Sequence, residues 1–87
     1  MYLTDEKLAA ISGGQSKHIG PNLLYFRKKS GLSRQLLADQ LNLDPSSIAK
    51  YENSNRTPHI DTIIQLADAL EIEVSDLIFE RKKNEFR

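Results

Sequence analysis

Apolar residues recur along the chain at intervals of three and four, and no stretch sustains the alternation of a half-buried strand. Ile19, Leu23 and Phe26 stand at i, i+4 and i+7, one stripe of a helix that opens at Gly20-Pro21, runs to Ser30 and stops at Gly31. Leu37, Ala38 and Leu41 line one side of a second helix, with Ser33 as its N-cap and Asn42 suited to a left-handed turn at its end. Leu43 plugs that turn. Asp44-Pro45 then restarts the helix, Asp44 as cap and Pro45 at the first helical position, where a missing N–H costs nothing. Residues 54–58 read as a loop, and Ile63, Leu66, Ala67 and Leu70 as the buried face of a fourth helix from about Ile60. A short last helix opening near Val74-Ser75 carries Leu77 toward the core and leaves Ile78 between core and surface. Ahead of all these, Thr4 to Ile11 reads as a short helix, followed by a flexible joint from Ser12 to Ser16. The pattern is all-α.

The third helix is the unusual one. Spacing its residues at about 100° each groups Ile48, Tyr51 and Glu52 on one side and Ser46, Ala49, Lys50 and Asn53 on the other. A helix that withholds large side chains from its outer face can lie close against another surface. That is the geometry of a helix entering a DNA major groove.

Length and composition narrow the field further. Eighty-seven residues make one domain, divided into an N-terminal extension (1–18), the helical domain (19–79) and a charged tail (80–87). The chain has no cysteine, so disulfides and thiolate metal sites are excluded. No apolar run approaches the roughly 18 residues of a membrane span, and Met1 to Asp5 does not start a signal peptide, which points to a cytoplasmic protein. Twelve basic and twelve acidic side chains cancel, an argument against a polyanion partner until their placement is read. Residues 17–60 carry seven basic against three acidic side chains, and residues 61–87 carry four against seven. The positive charge sits with the two-helix element. A polarised neutral protein can still bind a polyanion.

The order and spacing of Phe26-Arg27, Gly31-Leu32-Ser33, Leu37-Ala38, Leu41, Ile48, Tyr51-Glu52, Pro58, Ile63, Leu66-Ala67, Leu70 and Leu77 resemble the helix-turn-helix domain of the lambda-type phage repressors and Cro. The resemblance runs from about Ile19 to Ile78. It implies a compact five-helix bundle whose third helix, about Pro45 to Asn53, is the recognition helix. It further implies base contacts from Pro45, Ser46 and Lys50, with Ser47, Ala49 and Asn53 on or beside the same face. Arg34, at the start of the second helix, falls where the family contacts phosphate, and Asn55, Arg56, Thr57 and His59 fall where it grips the DNA backbone. Arg27 and Glu52 fall where the family forms an internal salt bridge. The chain departs from the family at Asn42 and Ser54, where glycines are usual, and at Pro45, which can touch a thymine methyl but cannot read a base by hydrogen bonds.

Leu24, Leu36, Ile64, Ile78 and Phe79 lie beside the family's core positions, and Phe86 lies in the tail. These apolar residues exceed what the core needs; the readings are peripheral packing, docking of the N-terminal helix, or a self-association surface, the last consistent with a homodimer on double-stranded DNA. The implied function is a sequence-specific transcriptional regulator, a repressor acting by operator occupancy. The alternatives are an antitoxin or accessory regulator whose main partner is another protein, and a protein-interaction module without DNA binding. An enzyme is not expected, since no convergent histidine–carboxylate set or glycine-rich phosphate loop is present. His18 and His59 have no third partner for a metal, and no cofactor is implied.

Overall fold

The computed structural model describes residues 17–80; the helix expected at 4–11 and the tail residue Phe86 lie outside them. Five helices follow in order: α1 (Ile19–Lys29), α2 (Arg34–Leu41), α3 (Pro45–Glu52), α4 (Ile60–Leu70) and α5 (Val74–Ile78). The described residues contain no strand.

The helix ends follow from local chemistry. Ser33, in extended conformation ahead of α2, accepts the Leu36 N–H at 3.0 Å through its hydroxyl, so one orphan donor of the first turn is satisfied. Asp44 occupies the corresponding position before α3, yet its side chain makes no capping hydrogen bond. The cap expected from Asp44 is therefore positional only, and Pro45 starts the helix by its fixed φ. His59 likewise precedes α4 without a side-chain cap.

Four helices stop in the same way. In each, two N–H groups past the last turn reach back to carbonyls of that turn, the pattern known as a Schellman motif. Gly31 N donates to Lys28 O and Leu32 N to Arg27 O after α1; Asn42 N donates to Asp39 O and Leu43 N to Ala38 O after α2. Ser54 and Asn55 do the same to Tyr51 and Lys50 after α3, as do Glu71 and Ile72 to Asp68 and Ala67 after α4. The motif requires positive φ at its pivot. Gly31 supplies it at no steric cost (φ 76°), whereas Asn42 (58°), Ser54 (63°) and Glu71 (59°) carry a Cβ there.

Ile19, Leu23, Leu37, Ala38, Ile48, Tyr51, Ile63, Leu66, Ala67, Leu70, Leu77 and Ile78 form one buried cluster fed by all five helices. Ile78 is fully buried (0% exposed), so it belongs to the core and is unavailable to a self-association surface. Phe79 and Phe26 are half-buried and pack against the same cluster. A polar clasp joins the ends of the domain: Asn22 Nδ2 donates to Leu77 O (2.9 Å) and Phe79 O (2.7 Å), satisfying carbonyls at the end of α5 that have no helical partner.

Candidate nucleic-acid interface

The position of α3 is set by what it buries. Ile48, Tyr51 and Glu52 face inward, while Ser46, Lys50 and Asn53 are exposed and Pro45, Ser47 and Ala49 half-exposed. The outer surface of the helix thus presents a proline ring, two hydroxyls, a methyl, an amide and one ammonium group. Nothing on it is bulky enough to hold an approaching surface away, and its single charge is positive.

Glu52 is what allows α3 to sit this way. Its carboxylate, 1% exposed, faces Arg27 of α1: Arg27 Nε donates to Oε2 at 2.5 Å and Nη2 to Oε1 at 3.3 Å. Arg27 Nη1 donates to Leu32 O at 2.9 Å, which ties the α1–α2 turn to the same guanidinium. Arg34, at the first position of α2, donates its Nε to Glu52 Oε1 at 2.9 Å. One buried carboxylate therefore holds an arginine from each of two other helices, and the trio keeps a net charge of +1. Arg34 remains 44% exposed in its side chain, and among the described residues its two terminal nitrogens have no hydrogen-bond partner. The family register assigns Arg34 to phosphate contact alone. Its tie to Glu52 is an added feature that helical spacing does not reveal, because the two residues are 18 apart and belong to different helices.

The loop leaving α3 is pinned from below. Lys50 O accepts from both Asn55 N (2.8 Å) and Arg56 N (3.3 Å), so the loop folds back over the last turn of the helix. Asn55, Arg56, Thr57 and His59 are all exposed, and Pro58 between them is buried. The buried proline anchors the loop while its neighbours project outward.

Gly20 permits the contact between α1 and the end of α3. A Cβ at Gly20 would lie 2.7 Å from Tyr51 O, Glu52 O and Ser54 Oγ, so only glycine lets the two backbones approach this closely. The sequence offers Gly20 as a helix start; its role in packing depends on Ser54, 34 positions away. Beside this contact lies a shallow cleft of about 240 Å³, lined by Lys17, Ile19, Gly20, Tyr51, Ser54, Arg56, Thr57 and Pro58.

Of the apolar residues expected at a self-association surface, Leu36 (52%) and Ile64 (48%) are exposed and Leu24 is half-buried. Among the described residues, no group of three or more histidine, cysteine, aspartate or glutamate side chains could hold a metal, and no helix is long and apolar enough to cross a membrane.

Residues 23–77 match the family profile described as Helix-turn-helix. The HTH-type transcriptional regulator ImmR of Bacillus subtilis is 29% identical over 70 residues, covering 77% of this chain and 55% of its own length. The cryptic phage CTXphi transcriptional repressor RstR of Vibrio cholerae is 31% identical over 51 residues, 59% of this chain and 46% of its own. The chain thus spans about half the length of these relatives. Among solved structures, the restriction-modification controller protein C.AhdI from Aeromonas hydrophila superposes with a TM-score of 0.66 at 35% identity, over 69% of this chain and 91% of that one. The hypothetical transcription factor NHTF from Neisseria shares the fold, with a TM-score of 0.70 at 24% identity over 91% and 84% of the two chains.

Proposed function

We propose that this chain, which belongs to the Cro/C1-type helix-turn-helix family of DNA-binding transcriptional regulators, is a repressor that occupies its operator as a homodimer. The observation that carries the reading is the division of α3 into an inner face of Ile48, Tyr51 and Glu52 and an outer face of Ser46, Lys50 and Asn53. The outer face enters the major groove. There Lys50 donates to guanine O6 and N7, Ser46 meets a base edge or phosphate, and Pro45 touches a thymine methyl. Arg34 and the exposed loop residues Asn55, Arg56, Thr57 and His59 grip the phosphates on either side. Bound there, the protein excludes the transcription machinery from the promoter. Its kinship with RstR, itself named a transcriptional repressor, favours this sign of regulation.

The homodimer follows from size. A recognition helix of eight residues is about 12 Å long and reaches too few base pairs for tight specific binding. A second copy doubles the contact and sets half-sites roughly 34 Å apart. Exposed Leu36 and Ile64 are the large apolar side chains best placed to meet a partner copy.

Selection from random duplexes tests the whole reading. The expected product is a pair of inverted half-sites about one turn apart, and no enrichment over the starting pool would overturn it. Two variants then separate readers from grippers. Lys50→Ala changes the ranking of selected sites. Arg56→Ala weakens all of them alike and lowers the salt dependence by about one unit.

A further inference from the structure

The cleft between the entry to α1 and the loop after α3 has a composition that the helix-turn-helix element does not explain. Its rim carries two cations from distant parts of the chain, Lys17 and Arg56, both exposed. Its walls add the hydroxyl-bearing Ser54 and Thr57, and no carboxylate lines it. The nearest acidic side chain on α3, Glu52, is turned to the other side and already holds Arg27 and Arg34. A second concavity among the described residues, between α2 and α4, is lined by Gln40, Leu41, Asn42, Gln65, Asp68 and Ala69, with a carboxylate and no cation.

The cleft is also held in place. Gly20 forms part of its lining and cannot acquire a side chain without striking Ser54 and two main-chain oxygens of α3. Arg56 is fixed through its backbone to Lys50 O, at the end of the helix that enters the groove. A helix about 10–12 Å in diameter fills a groove about 12 Å wide, so the loop that leaves a helix this short lies close to the phosphate rim.

We propose that this cleft binds a single backbone phosphate of the duplex, with Lys17 and Arg56 as its two cations and Ser54 and Thr57 as its hydroxyl donors. The inference rests on the DNA-binding reading above and extends it. It adds Lys17, which lies ahead of the helix-turn-helix element, to the contacts that position the protein. A phosphate held between α1 and α3 fixes the depth and tilt of the recognition helix without reading sequence.

The test is the salt dependence of binding to a mixed-sequence duplex pool, with the full chain. Lys17→Ala should lower the slope of log affinity against log salt by about 0.9, the value of one phosphate contact. Lys17→Arg should restore it. The Lys17→Ala variant should melt with the wild-type protein, because the side chain is exposed. If Arg56→Ala lowers the slope and Lys17→Ala does not, the cleft proposal is wrong while the loop grip stands. If both variants bind with the wild-type slope, both are wrong. Replacing chloride by inorganic phosphate at constant ionic strength distinguishes the source of the anion. A rise in melting temperature confined to proteins that retain Lys17, with the salt slope of duplex binding unchanged in Lys17→Ala, would make the cleft a site for free phosphate and overturn the duplex assignment.

Discussion

Arg27 and Glu52 form an ion pair whose carboxylate is 1% exposed, and this pair, 25 residues apart in the chain, fastens α1 to α3. The carboxylate has lost its hydration, so its stability rests on three donors: Arg27 Nε, Arg27 Nη2 and Arg34 Nε. Removing Arg27 takes away two of the three donors and leaves the buried carboxylate to the half-exposed Arg34 alone, a loss that approaches the roughly 3–5 kcal/mol of breaking a fully buried pair. Arg27→Ala is therefore expected to lower the melting temperature and to weaken DNA binding with it. Thermal melting beside a binding titration checks this. Weakened binding at an unchanged melting temperature would place Arg27 at the DNA instead.

Gly20→Ala provides a second test of the α1–α3 contact. Two of the three oxygens 2.7 Å from the added carbon are main-chain atoms, so relief requires α1 to move off α3. Overpacking of this kind costs about 1–3 kcal/mol. Combining Gly20→Ala with Ser54→Ala should recover little of that loss, since it removes only the one flexible neighbour. Full recovery in the double variant, read by melting, would mean that the hydroxyl alone sets the spacing.

The pivot residues of the Schellman turns allow a gain of stability. Glu71 holds φ 59° at the end of α4, a conformation that a side chain disfavours by roughly 1–2 kcal/mol. Glu71→Gly should relieve part of this strain, for a net gain of about 1 kcal/mol once the entropy of glycine is counted. In a domain this size that is a rise of roughly 4–8 °C in Tm. Glu71 is remote from α3 in sequence and lies within the acidic stretch 61–87, so duplex affinity should hold or rise slightly. A fall in Tm would show that the Glu71 side chain makes a contact worth more than the strain.

The legible parts of this molecule are those written locally. The stripes of α1 to α4 follow from three- and four-residue spacing, and the caps at Ser33 and Asn42 follow from side-chain chemistry within one turn. The inward turn of Glu52 also follows from its place beside Ile48 and Tyr51 on the helix. What spacing could not supply depends on residues brought together from far apart. Spacing leaves Ile78 between core and surface, and the docking of α5 against α1 and α4 decides that it is core. Asn22 reads as an ordinary polar helix residue until the carbonyls of Leu77 and Phe79, 55 and 57 positions on, fold against it. Asp44 shows the reverse failure: the right residue at the right position, with a side chain that makes no cap.

Arg34 joins the structural network to the proposed interface, and that double position yields the last prediction. Its Nε is bound to Glu52, while its side chain stays 44% exposed at the first turn of α2. If it only completed the shell around Glu52, Arg34→Ala would weaken folding by a modest amount, because Arg27 still pairs the carboxylate and Arg34 is 44% exposed. If it also holds a phosphate, the same variant lowers the salt slope of binding by about 0.9. A double-mutant cycle with Glu52→Gln separates these effects. The glutamine keeps an acceptor for Arg34 but weakens its hold, so a guanidinium aimed by Glu52 should contribute less to binding in that background. The coupling is read in duplex affinity after both single variants have been shown to be folded at the temperature of the assay. Strict additivity would mean that Arg34 reaches the phosphate without help from Glu52, and an unchanged slope in Arg34→Ala would remove it from the interface altogether.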